Sequence, residues 1–166
     1  SAVVITAPAE QRRAMEGLAG GRATLVEGGP TRQESVAAGL GALPDDASIV
    51  LVHDAARPLT PPEVFERVVS AVRGGHRAVV PALPVTDTIK RVGAGDGAGA
   101  EPVEATVDRA PLRTVQTPQG FDRALLARAH AAFTGDAATD DAGLVEALGE
   151  RVWVVAGSER SLKITT

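Results

Sequence analysis

The stretch VLVHDAARPLTPPE, Val50 to Glu63, runs from an apolar segment straight into a His-Asp pair, then an Arg-Pro step and a Thr-x-x-Glu. With Ser48 and Ile49 before it, the segment SIVLVH is close to continuously apolar, which predicts a strand buried on both faces and central in its sheet. Thr60 and Glu63 carry a capping-box signature, with Pro61 at the first helical position where a missing N-H is harmless. A strand, a charged turn and a helix make one unit of an alternating α/β protein. In such proteins ligands collect just beyond the carboxyl ends of the strands, where Asp54 and Arg57 stand.

The same alternation extends in both directions. VVIT (3–6) predicts a buried strand, followed by a helix from about Pro8 to Leu18 that stops at Gly20 and Gly21, and then by the strand ATLVE (23–27). After Gly28 and Gly29, Thr31 and Glu34 form a second capping box, and Val36, Ala37, Leu40 and Leu43 share a face of the helix it starts. The helix after Thr60 is predicted to reach about Arg73, and HRAVVPALP (76–84) makes a fourth strand. RTVQTPQGF (113–121) returns to the core pattern, with a helix from Asp122 to about Phe133 and a short one after Thr139 ending near Gly149. RVWVVAG (151–157) and LKITT (162–166) close as strands. The reading is a single α/β domain over 1–166, a three-layer, mostly parallel sheet with covering helices.

Residues 84–110 break this pattern. VTDTIKRV alternates, 93–101 form a Gly-rich turn, and VEATVDR alternates back, which predicts a β-hairpin arm. A hairpin of this length is marginal alone, so the arm predicts a homodimer.

Composition narrows the function. A net charge of −4 and a pI near 5.4 argue against a general nucleic-acid binder. Aromatic residues are 2%, with no Tyr and a single Trp153, which argues against a base-stacking platform. No apolar segment approaches the roughly 20 residues of a membrane span, and no signal-like segment opens the chain. With zero cysteines there is no disulfide framework and no thiolate metal site, and a soluble cytoplasmic protein is the expectation.

Among candidate residues, Asp54 either caps the turn or holds Mg²⁺ that grips phosphate oxygens. His53 reads as a packed strand residue, since His53, His76 and His130 share no ligand spacing. Arg57 reads as the structural ion-pair partner of Asp54. Gly28 and Gly29 allow a close backbone approach before a helix N-terminus, with Ser35 one turn further on. Lys163, in an apolar run, must face solvent, an acid or a phosphate. Thr139, Asp140 and Asp141 most simply cap a helix.

Taken together, GGPTRQESVAAGL, LVHDAARPL, PVTDTIKRV, TVDRAPLRTVQTPQGF, ATDDAGLVE and LKITT resemble, in order and spacing, the 2-C-methyl-D-erythritol 4-phosphate cytidylyltransferases of non-mevalonate isoprenoid synthesis. The resemblance implies a nucleotidyltransferase-type fold, a homodimer formed through the arm, and CMP transfer from CTP with Mg²⁺. It implies that Gly29, Pro30 and Ser35 meet cytosine, and that Asp54 with Ala55 meets the CTP ribose-phosphate and the metal. Thr88 and Arg109 would hold the methylerythritol phosphate from the partner's arm, with Thr117, Thr139 and Lys163 as further substrate-side positions. Arg109 and Lys163 would position the attacking phosphate as the catalytic residues.

Two departures accompany it. No Gly-rich loop carrying an Arg and a Lys precedes the first strand, so the chain reads as incomplete at both ends, and Pro30 has no amide proton to offer a base. Ribitol phosphate cytidylyltransferase shares much of the pattern, and an inactive dimerising or ligand-binding fragment is the reading from another class. A dinucleotide oxidoreductase would need a G-x-G-x-x-G after a strand, which is absent.

Overall fold

A computed structural model describes residues 1–133 and 139–165. Strands β1 (Val4–Ala7) and β2 (Thr24–Glu27) pair in parallel as a sheet of their own. A 3-10 turn at Ala9–Gln11 leads from β1 into α1 (Arg12–Ala19), which ends on Gly20 at φ 54°. That left-handed cap is where a residue lacking Cβ is strain-free. Helix α2 (Arg32–Gly41) opens on the expected capping box: Thr31 Oγ1 accepts the Glu34 N-H at 3.1 Å, and Glu34 Oε2 accepts the Thr31 N-H at 2.9 Å. Contacts of α2 with β1, β2 and the fourth helix join the small sheet to the rest.

The main sheet has five strands: β3 (Ile49–Val52), β4 (Ala78–Pro84), β7 (Arg113–Val115), β8 (Gln119–Asp122) and β9 (Trp153–Ala156). Strand β8 lies between β3 and β4 and is antiparallel to both, β7 is antiparallel to β4, and β9 is parallel to β4. The expected mostly parallel sheet is therefore corrected: most pairings in the five-stranded sheet are antiparallel. The alternation nevertheless reflected a real directionality, because β3, β4 and β9 all point the same way. What it missed is the direction of the RTVQTPQGF segment, whose strands β7 and β8 both run antiparallel to β4.

Strand β3 is also corrected, from the centre of the sheet to an edge. Among the described residues it pairs with β8 alone. Its continuous apolar run is explained by helices on both sides. Val50 and Val52 face the cluster built by Phe121, Leu125, Leu126, Leu144 and Val145, while Ile49 and Leu51 face Val68, Val72 and Val79. The first cluster draws on α4 (Arg123–Ala132) and α5 (Asp141–Ala147), the second on α3 (Pro62–Arg73). The sheet is thus covered on both faces.

Two local expectations fail. Thr60 does not cap α3; its hydroxyl donates to the Arg57 carbonyl at 3.0 Å, and Pro61 is the N-cap, without a side-chain bond. Pro61 with Pro62 pre-sets the extended-to-helical entry, so no capping side chain is required. LKITT is not a strand in its described part: a 3-10 turn at Glu159–Ser161 precedes it, and its Ile164 N-H goes to the Ala56 carbonyl beyond β3. That loop contact takes the place of a ladder.

The arm forms as expected from β5 (Ile89–Val92) and β6 (Val103–Val107), antiparallel with an irregularity between Arg91 and Val92. It is a separate two-stranded sheet carrying exposed Val92 and Val103, which are register partners. No helix among the described residues is long and apolar enough to cross a membrane.

Candidate functional site

Because β3 and β9 run in the same direction, the segments that follow them emerge at one end of the sheet, and Asp54 and Lys163 meet there. Lys163 Nζ lies 3.3 Å from Asp54 Oδ2. Arg57 Nε lies 3.7 Å from the same oxygen, and Arg32 Nε lies 3.8 Å from Oδ1. Asp54 is thus ringed by cations at ion-pair distance without being committed to one of them. Such a carboxylate can exchange partners, and such cations can turn to an anionic ligand.

The backbone of Asp54 is fixed from the strand beside it. Thr117, buried just before β8, accepts the Asp54 N-H on Oγ1 at 3.0 Å and shares a second 3.0 Å bond with His53 Nδ1. The His53 ring lies 5.0 Å from that of Phe65, and burial holds its pKa below the ordinary value, which favours the neutral ring. Arg57 acts as read from the sequence: it closes the turn on Asp54, and its Nη1 donates to the Ser161 carbonyl at 2.6 Å. Gln116 holds the segment after β9 through both ends of its amide, donating to the Ser158 carbonyl at 2.8 Å and accepting the Ser158 N-H at 3.0 Å.

The Gly28–Gly29 loop approaches the same region by way of α2. A Cβ on Gly28 would meet Ser35 Oγ at 2.8 Å, and one on Gly29 would collide with Glu34. The glycines therefore let the loop pack on the first turn of its own helix. Ser35 Oγ donates to the Thr31 carbonyl at 3.0 Å, with the Gly29 carbonyl 3.3 Å away. Pro30 and Ala55 are exposed.

The remaining site candidates lie elsewhere. Thr88 and Arg109 are exposed on the arm, where Arg109 Nη1 donates to the Thr86 carbonyl, and no described contact joins them to Asp54. Thr139 is exposed beside Asp140, which is the N-cap of α5 and accepts the Gly143 N-H at 2.9 Å.

Sequence reading missed the roles of four residues. Asp141 is fully buried, with Arg32 Nη1 2.7 Å from Oδ2 and His130 Nε2 2.9 Å from Oδ1. Burial alone would raise its pKa, but the His130 bond and the Arg32 charge together outweigh burial and hold the carboxyl below its usual range. Gln119, also buried, clamps the start of α5, donating to Asp140 Oδ2 at 2.7 Å and accepting the Ala142 N-H at 3.2 Å. Only the run of two acids after Thr139 signalled anything, and it read as a cap.

An α/β scaffold with a carboxylate and several cations beyond its strand ends belongs with the proteins whose ligands sit at that edge. The family model described as IspD, 2-C-methyl-D-erythritol 4-phosphate cytidylyltransferase, matches residues 1–166. The chain is 51% identical to the Streptomyces coelicolor protein of that name over 99% of its own length, and 55% identical to the Rhodococcus jostii one over 99%. It spans 64% of the first relative and 70% of the second. The solved structure from Thermus thermophilus, bearing the same name, superposes with a TM-score of 0.79 at 38% identity, covering 100% of this chain and 76% of that one. The 4-diphosphocytidyl-2C-methyl-D-erythritol synthase of Anaerococcus prevotii gives 0.87 at 29% identity, covering 99% and 73%. The chain belongs to the 2-C-methyl-D-erythritol 4-phosphate cytidylyltransferase family.

Proposed function

We propose that this chain carries the transfer site for CMP, moved from CTP to 2-C-methyl-D-erythritol 4-phosphate with release of pyrophosphate. The observation that carries the reading is the convergence of Asp54, Lys163, Arg57 and Arg32 beyond the carboxyl ends of the strands in a member of this family. Three cations around one carboxylate suit a reaction between two polyanions. The fold reading that goes with it is a single three-layer nucleotidyltransferase-type domain, supported by helices on both faces of the sheet.

The second pKa of a phosphate monoester is about 6, so at neutral pH the attacking oxygen is already largely deprotonated and needs no general base. It attacks the CTP α-phosphorus in line; the new P–O bond forms as the bond to pyrophosphate breaks. Lys163 is suited to hold the incoming phosphate, because Asp54 is its one described partner. Arg109 and Thr88 would come from the arm of a second copy, which also makes the arm the dimer contact. Thr117 keeps Asp54 in place, Gly29, Pro30 and Ser35 line the cytosine side, and Ala55 and Thr139 complete the contacts. Positioning and charge stabilisation together supply the catalysis.

Asp54 fits Mg²⁺ of the kind that arrives with a nucleotide. No group of three His, Asp, Glu or Cys side chains able to hold a metal exists among the described residues, but Mg²⁺ is commonly held by one or two carboxylates plus phosphate oxygens. The loosely paired oxygens of Asp54 suit that role, and the ion would neutralise charge on the triphosphate. The setting proposed with this function is the cytoplasm.

The test is pyrophosphate release from CTP by the full-length chain with methylerythritol phosphate or ribitol phosphate. Turnover with the former alone is expected, and abolition of Mg²⁺-dependent CTP use by Asp54→Ala accompanies it. Turnover with neither sugar phosphate overturns the reading in favour of a binding fragment.

A further inference from the structure

We infer that Arg32 is a positioning residue for Asp54, and that the buried Asp141–His130 pair holds its guanidinium in that position. The inference rests on the functional reading above. The three cations around Asp54 differ in what else restrains them. Lys163 is about half exposed, at 47%, and has no described partner besides Asp54. Arg57 is anchored to the Ser161 carbonyl. Arg32 bridges two carboxylates, one of them with no exposure at all.

A buried carboxylate is tolerated only while it stays paired. Asp141 has two ionic or ionisable partners, the Arg32 guanidinium and the His130 imidazole, and its own backbone is fixed because Gln119 grips the residues on either side of it. Withdrawing Arg32 would strand half of that pairing in the interior. Lys163 can therefore swing to an arriving phosphate at little cost, whereas Arg32 stays. The planar guanidinium suits this task, placing Nη1 near Asp141 and Nε near Asp54, two separated nitrogens that a point-charge ammonium does not have.

Arg32 is also set from its own side. It is the first residue of α2, directly after the Thr31 capping box and the close-packed Gly28–Gly29 loop. The nucleotide side of the site and the Asp54 side are thereby joined through one side chain. A purely structural reading is that Arg32 merely staples α2 to α5. The two readings differ in what the Asp54 carboxylate experiences when the bridge is cut.

The experiment uses the full-length chain with Arg32→Gln, Arg32→Lys, Asp141→Asn and the Arg32→Gln/Asp141→Asn pair. Thermal melting, calorimetric CTP binding over a series of Mg²⁺ concentrations, and KM for each substrate are measured. Partners outside the direct ligands of a metal typically change its affinity by about 10–100-fold, so the Mg²⁺ concentration for half-maximal CTP binding is expected to rise by at least about tenfold in Arg32→Gln. The sugar-phosphate KM should stay close to that of wild type. Adding Asp141→Asn to Arg32→Gln should produce no further rise, since both cut the same bridge.

An unchanged Mg²⁺ dependence in a folded Arg32→Gln protein overturns the inference, as does additivity of the two substitutions. If Arg32→Gln does not fold, Arg32→Lys decides: wild-type Mg²⁺ dependence there also overturns it. Failure of the wild-type chain to bind CTP with Mg²⁺ overturns the functional reading itself, an outcome separate from these.

Discussion

Lys163 and Arg109 carry like charge but sit in different surroundings, and that difference sets what removing each would do. Lys163 faces Asp54 directly, so Lys163→Ala deletes a cation at the centre of the cluster and is expected to lower kcat. Arg109 lies on the arm, away from Asp54, so Arg109→Ala is expected to raise the KM for the sugar phosphate with little change in that for CTP. Steady-state kinetics with each substrate varied distinguishes the two, and equal loss toward both substrates in Arg109→Ala would make the arm residue structural. In the core, Gly120 on β8 lies directly beneath α3, where an added Cβ would collide with Val68 and crowd Leu51 and Val72. Gly120→Ala is therefore expected to destabilise the fold by about 1–3 kcal/mol, read as a lower urea midpoint at unchanged slope. A normal midpoint would mean that α3 can yield.

At the scale of elements, the junction of β8 and α4 depends on Asp122, which caps the helix by accepting the Leu125 N-H at 2.9 Å and pairs with Arg77 at 3.1 Å. Asp122→Ala is expected to cost about 1 kcal/mol, the usual value of such a cap. Burial opposes ionisation of this carboxyl, but the helix N-H and Arg77 together bring its pKa below the ordinary value. A depressed acid stabilises the folded state at pH above its unfolded pKa and loses that contribution as pH falls through the folded one. The gap between wild type and Asp122→Ala should therefore be full at neutral pH and narrow in strong acid, as denaturant melts from neutral to strongly acidic pH would show. A gap that widens on acidification would contradict the assignment. The capping signals themselves were unevenly legible. Thr31 and Glu34 formed their box because nothing competed for Thr31, whereas the identical pattern at Thr60 lost to a Pro-Pro entry and to the Arg57 carbonyl.

For the whole molecule, the arm, like the β1–β2 pair, joins no other described strand, and its exposed Val92 and Val103 lie side by side. If a second copy covers them, Val103→Lys should shift the protein toward monomer in sedimentation and reduce turnover, because Arg109 would no longer be delivered across the contact. A dimer unaffected by the substitution would assign the contact to another face. Much of the architecture was already present in the order of residues. Apolar period, glycine stops and cap chemistry are local, and they located most strands, the helices and the arm without reference to any neighbour. The strand-end position of Asp54 was local too, as was the chemistry that made Lys163 conspicuous. Strand pairing and charge pairing are not local. That β8 inserts antiparallel between β3 and β4, that β3 pairs with β8 alone among the described strands, and that Arg32 spans from Asp54 to a buried Asp141 held by His130 all depend on residues far apart in the chain meeting in space. Only tertiary structure decides such meetings, because the desolvation that makes Asp141 need Arg32 does not exist until the fold closes around it.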